Sequence, residues 1–158
     1  MGDDDPSLDR RAVLGAAVGG LTGLSGCSAD EPDDCPRLPT EPNYRGYLDQ
    51  VDVYEATCDF RDEETVTVAV GGRGQEAFWE FRPVAIAVTP GTTVTWEWTG
   101  RGGAHDVVSV DEIFSSGRPT SEAGETFEFE FATPGIYRYY CTPHRSVHMK
   151  GVVFVSLE

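Results

Sequence analysis

Basic residues are scarce in this 158-residue chain: 12 Lys and Arg stand against 27 Asp and Glu, a formal net charge of −15. Phosphate contacts need Lys and Arg, so nucleic acid is not an expected partner. Long apolar runs are missing as well. The most apolar stretch, residues 12–24, is short and glycine-rich, and does not span a bilayer comfortably. Histidine is scarcer still: the whole chain has three, beside four cysteines and two methionines.

What is present suits strands and turns. Eighteen glycines and ten prolines in a chain of this length favour short extended segments over long helices. The length allows one ordinary domain and a processing segment. Carboxylates are spread along the chain rather than gathered in a tail. That distribution fits adaptation to high salt, where an acidic surface keeps a protein soluble while salt screens its self-repulsion.

Residues 1–27 read as an export signal. Arg10 and Arg11 precede the weakly apolar stretch, as in a twin-arginine leader, although the extreme N-terminus and Asp9 are acidic. Leu24-Ser25-Gly26-Cys27 follows the pattern in which a peptidase cuts before a cysteine that becomes lipidated. Cys27 is therefore the expected lipid anchor of a protein held at the outer membrane face. Residues 28–59 are expected to form an acidic, proline-rich tether and a lead-in segment, with one short helix in 43–57. Residues 60–158 are expected to form the domain.

Within the domain, residues 65–70 alternate β-branched side chains, and 71–74 is a glycine-rich turn. The apolar run 81–89 carries Pro83, which suggests an edge or a bulge. Residues 92–98 place Val94, Trp96 and Trp98 on one face. Residues 104–110 form another short strand. Residues 125–131 alternate strictly, with Phe127, Phe129 and Phe131 inward. Residues 136–141 and 151–157 complete the set. Short strands at this spacing predict an all-β, antiparallel sandwich or barrel. The aromatic set Trp96, Trp98, Phe127, Phe129 and Tyr137 is most simply core.

Between the last two strands runs C-T-P-H-R-S-V-H-M. One loop thus brings together a thiolate (Cys141), an imidazole (His144) and a thioether (Met149). His105 follows the turn at 100–103 upstream. Singly, each has an ordinary reading: a polar loop histidine, a small buried cysteine, a gap-filling methionine. Jointly they match a copper site, because two imidazoles and a thiolate with a weak axial thioether suit both Cu(I) and Cu(II). His148 adjoins Met149 and is expected to face solvent rather than bind metal. If Cys27 is lipidated and Cys141 binds metal, Cys35 and Cys58 remain to pair, closing a loop worth about 3 kcal/mol. The alternative, Cys141 pairing with one of them, would destroy the metal site.

C-T-P-H-x₄-M, G-G-A-H-D-V-V, P-G-T-T-V-T-W and P-G-I-Y-R-Y-Y-C together resemble the plastocyanin-type cupredoxins. With the acidic composition, the arginine pair and the L-S-G-C motif, the chain is similar to the halocyanins, the membrane-attached branch found in salt-loving archaea. The resemblance implies a Greek-key cupredoxin fold and one type 1 copper ion. His105 and His144 would supply ring nitrogens, Cys141 the thiolate and Met149 the axial sulfur. It also implies electron exchange with respiratory complexes outside the cell. The family usually has Asn after the upstream histidine, bracing the ligand loop; here that residue is Asp106, which accepts hydrogen bonds but does not donate when ionised. Ala104, Pro143 and Val147 are the expected apolar contacts around His144. A copper enzyme is not expected, since three histidines leave none for a three-imidazole catalytic centre. A storage, delivery or adhesion role is the remaining alternative, and an intense blue colour separates the carrier from it.

Overall fold

The computed structural model describes residues 33–157. Arg10, Arg11 and Cys27, with the expected leader, lie outside the described residues. Among the described residues nine strands form two sheets: β1 (Cys58–Asp59), β2 (Thr65–Gly72), β3 (Glu80–Arg82), β4 (Ala85–Val88), β5 (Thr92–Trp98), β6 (Val108–Ser109), β7 (Thr126–Phe131), β8 (Gly135–Tyr140) and β9 (Lys150–Val155). One sheet has the order β1-β4-β9-β8-β6 and the other β3-β2-β5-β7. The two-sheet, all-β architecture is the expected one. The ladders are mixed, however: β1/β4, β4/β9 and β2/β5 run parallel, and the other pairs antiparallel. Parallel neighbours arise because the chain crosses to the opposite sheet between them, as it does from β4 to β5.

Period-2 patterning sets the core. Val66, Val68 and Val70 of β2 and Val94, Trp96 and Trp98 of β5 are buried. On β7 the exposed Glu128 and Glu130 alternate with Phe127, Phe129 and Phe131, which is how a strand carries both core and acidic surface. Trp96 meets Tyr139 edge-on at 5.3 Å, and Phe81 meets the same ring at 4.8 Å. Tyr139 lies across the strand position of Gly151, where a Cβ would sit 2.3 Å from its ring. Only glycine fits opposite that ring.

The run expected as one strand at 81–89 divides at Pro83. β3 belongs to one sheet and β4 to the other, and Pro83, which has no N–H for a ladder, stands at the crossing. All four residues of β4 are buried. A strand this apolar needs cover on both faces. Ile86 and Val88 face the main core, while Val84, Ala85 and Val152 pack with Tyr44, Leu48 and Val51 of the lead-in.

The lead-in is therefore part of the folded body, not a free tether, from Asp33 onward. The Cys35–Cys58 disulfide (Cα–Cα 5.5 Å) and the Arg82–Asp33 ion pair (3.1 Å) hold it. Residues 43–57 form successive turns rather than the expected helix. Their bonds run three residues back, as from Tyr47 N–H to the Tyr44 carbonyl, and Arg45 and Gly46 both have positive φ. The strand expected at 104–110 shrinks to Val108–Ser109, and the turn expected at 71–74 begins only after Gly72.

Candidate metal centre

His105 follows three glycines with positive φ, at 100, 102 and 103, and is buried. Its backbone exchanges two hydrogen bonds with Thr120, both 2.9 Å, and its carbonyl accepts the Trp98 indole N–H at 3.0 Å. The ring is oriented too: Nε2–H donates to the Arg101 carbonyl at 2.6 Å. That bond selects the tautomer whose Nδ1 lone pair faces inward. The ring fits because Gly71 and Gly102 lack side chains; a Cβ on either would stand 3.0 Å from Nε2.

Cys141 follows β8 and is buried, and its N–H donates to the Met149 carbonyl at 3.0 Å. Met149 N–H in turn donates to the His144 carbonyl at 3.2 Å. The ligand loop is thus closed on itself. A 3₁₀ turn, Arg145–Val147, separates His144 from His148, which takes the left-handed conformation (φ 61, ψ 37). This reversal lets Met149 enter the core cluster that holds Cys141, while His148 stays half-buried and outside the converging groups. The Asp106 carboxylate accepts the Thr142 N–H at 2.6 Å, so the accepting half of the brace is made by Asp in place of Asn.

Three ligand atoms converge. His105 Nδ1 and His144 Nδ1 are 3.1 Å apart, and Cys141 Sγ lies 3.7 and 3.5 Å from them. Burial holds both imidazoles below their ordinary pKa, so each offers a lone pair near neutrality. Burial also pushes the Cys141 thiol up to about 11, although the N–H groups of Asp106 and His144 pull it the other way. The thiolate therefore forms when a cation displaces the proton. A triangle with these edges has its centre about 2 Å from each corner, a metal–nitrogen bond length. Two imidazoles and one thiolate around such a centre fit copper.

Comparison with known proteins agrees. Residues 66–156 match the family profile of copper binding proteins of the plastocyanin/azurin family. The chain belongs to that family. It is 42% identical to halocyanin of Natronomonas pharaonis, over 93% of this chain and 96% of that one. It is 33% identical to plastocyanin of Scenedesmus fuscus, over 48% of this chain and 86% of that one. Among solved structures, the oxidised form of plastocyanin from Dryopteris crassirhizoma is similar at 29% identity with a TM-score of 0.45, covering 57% of this chain and 99% of that one. As a cupredoxin, the protein carries one copper ion and is a blue-copper electron carrier.

Around this cupredoxin site lie groups that sequence reasoning missed. Trp79 stacks on His144 (5.4 Å between centroids, 21° between planes), and its Nε1–H donates to the Gly102 carbonyl at 3.1 Å. A Trp between the glycine-rich turn at 71–74 and the apolar run at 81–89, outside every expected strand, was the available signal. The Arg101 carbonyl that sets the His105 tautomer had none, because any residue supplies a carbonyl. Ala104, Pro143 and Val147, expected near His144, are exposed.

Proposed function

We propose that the protein is a lipid-anchored carrier at the outer face of the cell membrane, passing single electrons between respiratory complexes. The buried His105–Cys141–His144 triangle, with His144 the least buried of the three, is the observation that carries the electron-transfer reading. Bound there, copper would alternate between Cu(I) and Cu(II), taking up and releasing one electron. The chain's part is to hold its ligands still. Arg101 fixes the His105 ring, the Cys141–Met149 and Met149–His144 bonds fix the loop, and the core keeps water from the sulfur. His105, Cys141 and His144 would hold the ion, with the buried Met149 supplying a thioether.

The location rests on residues 24–27, on the arginine pair, and on similarity to halocyanin that covers 93% of the chain. The acidic surface supports work in concentrated salt, where the screening length is about 3 Å and long-range steering is weak. Apolar contact then decides docking.

The test is spectroscopic. The copper-loaded, oxidised protein should be intensely blue with a narrow copper hyperfine splitting. A colourless copper-loaded protein would overturn the carrier reading in favour of storage or delivery. For the anchor, Cys27→Ser should move the protein from the membrane fraction to the soluble one. If the variant stays membrane-bound, the anchor is elsewhere.

A further inference from the structure

We propose that Trp79 is the outer contact of the copper site: it holds the His144 ring and presents the surface through which an apolar-faced redox partner exchanges its electron. The inference rests on the carrier reading above. Four observations bear on it. First, the indole stacks on His144, the less buried of the two converging imidazoles. Second, its Nε1–H bond to Gly102 ties it to the loop that carries His105, so one side chain spans both ligand-bearing segments. Third, the neighbouring Phe78 reinforces this seam: the Arg101 guanidinium lies 4.9 Å from its ring, and Gly102 packs so closely that a Cβ would meet the Phe78 carbonyl at 2.1 Å. The indole is thus anchored on two sides. Fourth, Trp79 remains 36% exposed, so a partner touches it as well as the imidazole beneath.

The surroundings suggest the partner's chemistry. Ala104, Pro143 and Val147 are exposed neighbours in the two ligand loops. Arg101 and Arg145, in the same two loops, are each laid on an aromatic ring, Phe78 and Tyr140. They fit a partner whose apolar contact face carries carboxylates opposite them. An exposed, anchored Trp is among the residue types that most often carry the binding energy of an interface. The step moves one electron and no proton or bond: the reduced site loses one electron, and the partner, a one-electron acceptor, gains it.

The experiment is electron self-exchange of the copper-loaded protein in molar salt, read from NMR line broadening in mixtures of reduced and oxidised protein. A second copy is the probe: molar salt screens the like-charged Arg101 and Arg145 of the two faces, so the apolar contact is what is read, and no driving force enters. Trp79→Ala should slow exchange about tenfold, the loss of one central interface side chain. Trp79→Phe, which retains an aromatic face, should recover most of the rate. Absorption and potential are recorded on the same samples. Unchanged or faster exchange in blue Trp79→Ala would show that the indole insulates the site or stands aside, and would overturn the proposal. A wild-type protein that is not blue refutes the carrier reading instead. Trp79→Leu tests the contact should the alanine variant not fold.

Discussion

Glu80→Gln separates charge from shape at a half-buried position of β3, between Trp79 and the core residue Phe81. The Glu80 side chain lies against Gly74 and Arg82, and its Oε2 is buried with no hydrogen-bond partner. Burial disfavours the carboxylate and outweighs the attraction of Arg82, and Asp52 adds repulsion; together they push Glu80 from 4.5 to about 7. A carboxyl group whose folded pKa is raised binds its proton more tightly in the folded state. Its contribution to stability is therefore full below pH 4.5 and is lost as pH rises through about 7. The difference of 2.5 units sets a ceiling of about 3 kcal/mol. Partial solvent contact lowers this to about 2 kcal/mol. Glutamine resembles the protonated acid and does not ionise. Urea denaturation of both proteins, metal-free and in molar salt, should show similar stability at pH 4. By pH 8 the variant should be more stable by about 2 kcal/mol. A difference between the two that stays flat from pH 4 to pH 8 would refute the burial argument, whatever the remaining carboxylates do.

Three further outcomes follow from particular contacts. Replacing Cys35 and Cys58 by Ser opens a loop of 23 residues' separation and should cost about 3 kcal/mol in denaturation experiments; hydrogen exchange should show residues 43–57 losing protection first. Asp106→Asn keeps an acceptor for Thr142 N–H but removes a negative charge near the copper. A unit charge about 7 Å from an ion, at an effective dielectric near 20, favours the oxidised form by roughly 100 mV, so voltammetry should show the potential rising by up to that order, and a fall would contradict the account. Gly102→Ala puts a Cβ 2.1 Å from the Phe78 carbonyl at a φ of +79°, and should destabilise the protein by about 2–4 kcal/mol and weaken the blue band, both visible in one thermal melt followed at the copper absorption.

The legible part of this fold was the part written as alternation. Residues 92–98 and 125–131 read as strands because each shows one apolar and one polar face, and β5 (92–98) and β7 (126–131) lie there. The ligand loop was legible because Cys141, His144 and Met149 are close in sequence and chemically specific. What could not be read was tertiary. The apolar run at 81–89 does not announce that it changes sheets at Pro83. Nothing in an acidic, proline-rich segment says that Tyr44, Leu48 and Val51 cover the outer face of β4 and β9. Phe114 joins the core from the β6–β7 connection, packing 5.0 Å from Phe129, without any periodic neighbour to mark it. His105 was found by its residue type. The strand expected around it survives only as Val108–Ser109, because His105 pairs with Thr120 in an isolated bridge outside the named strands.

The same contacts imply a site whose geometry belongs to the chain rather than to the ion. Each ligand-bearing residue is held by a bond within the protein: His105 by Arg101 and Thr120, Cys141 by the Met149 carbonyl, Met149 by the His144 carbonyl, and Thr142 beside Cys141 by Asp106. His144 alone has its ring held mainly by stacking, on Trp79. A frame of this kind resists the different coordination preferences of Cu(I) and Cu(II), so little moves when the charge changes. Copper removal should accordingly leave the near-ultraviolet circular dichroism of the buried aromatic core unchanged and the amides of Cys141, Thr142 and Met149 protected from exchange. The largest change on removal should fall on the His144 ring. Widespread loss of protection across residues 141–149 in the metal-free protein would mean that the ion builds the loop, and the account of a chain-imposed geometry would be wrong.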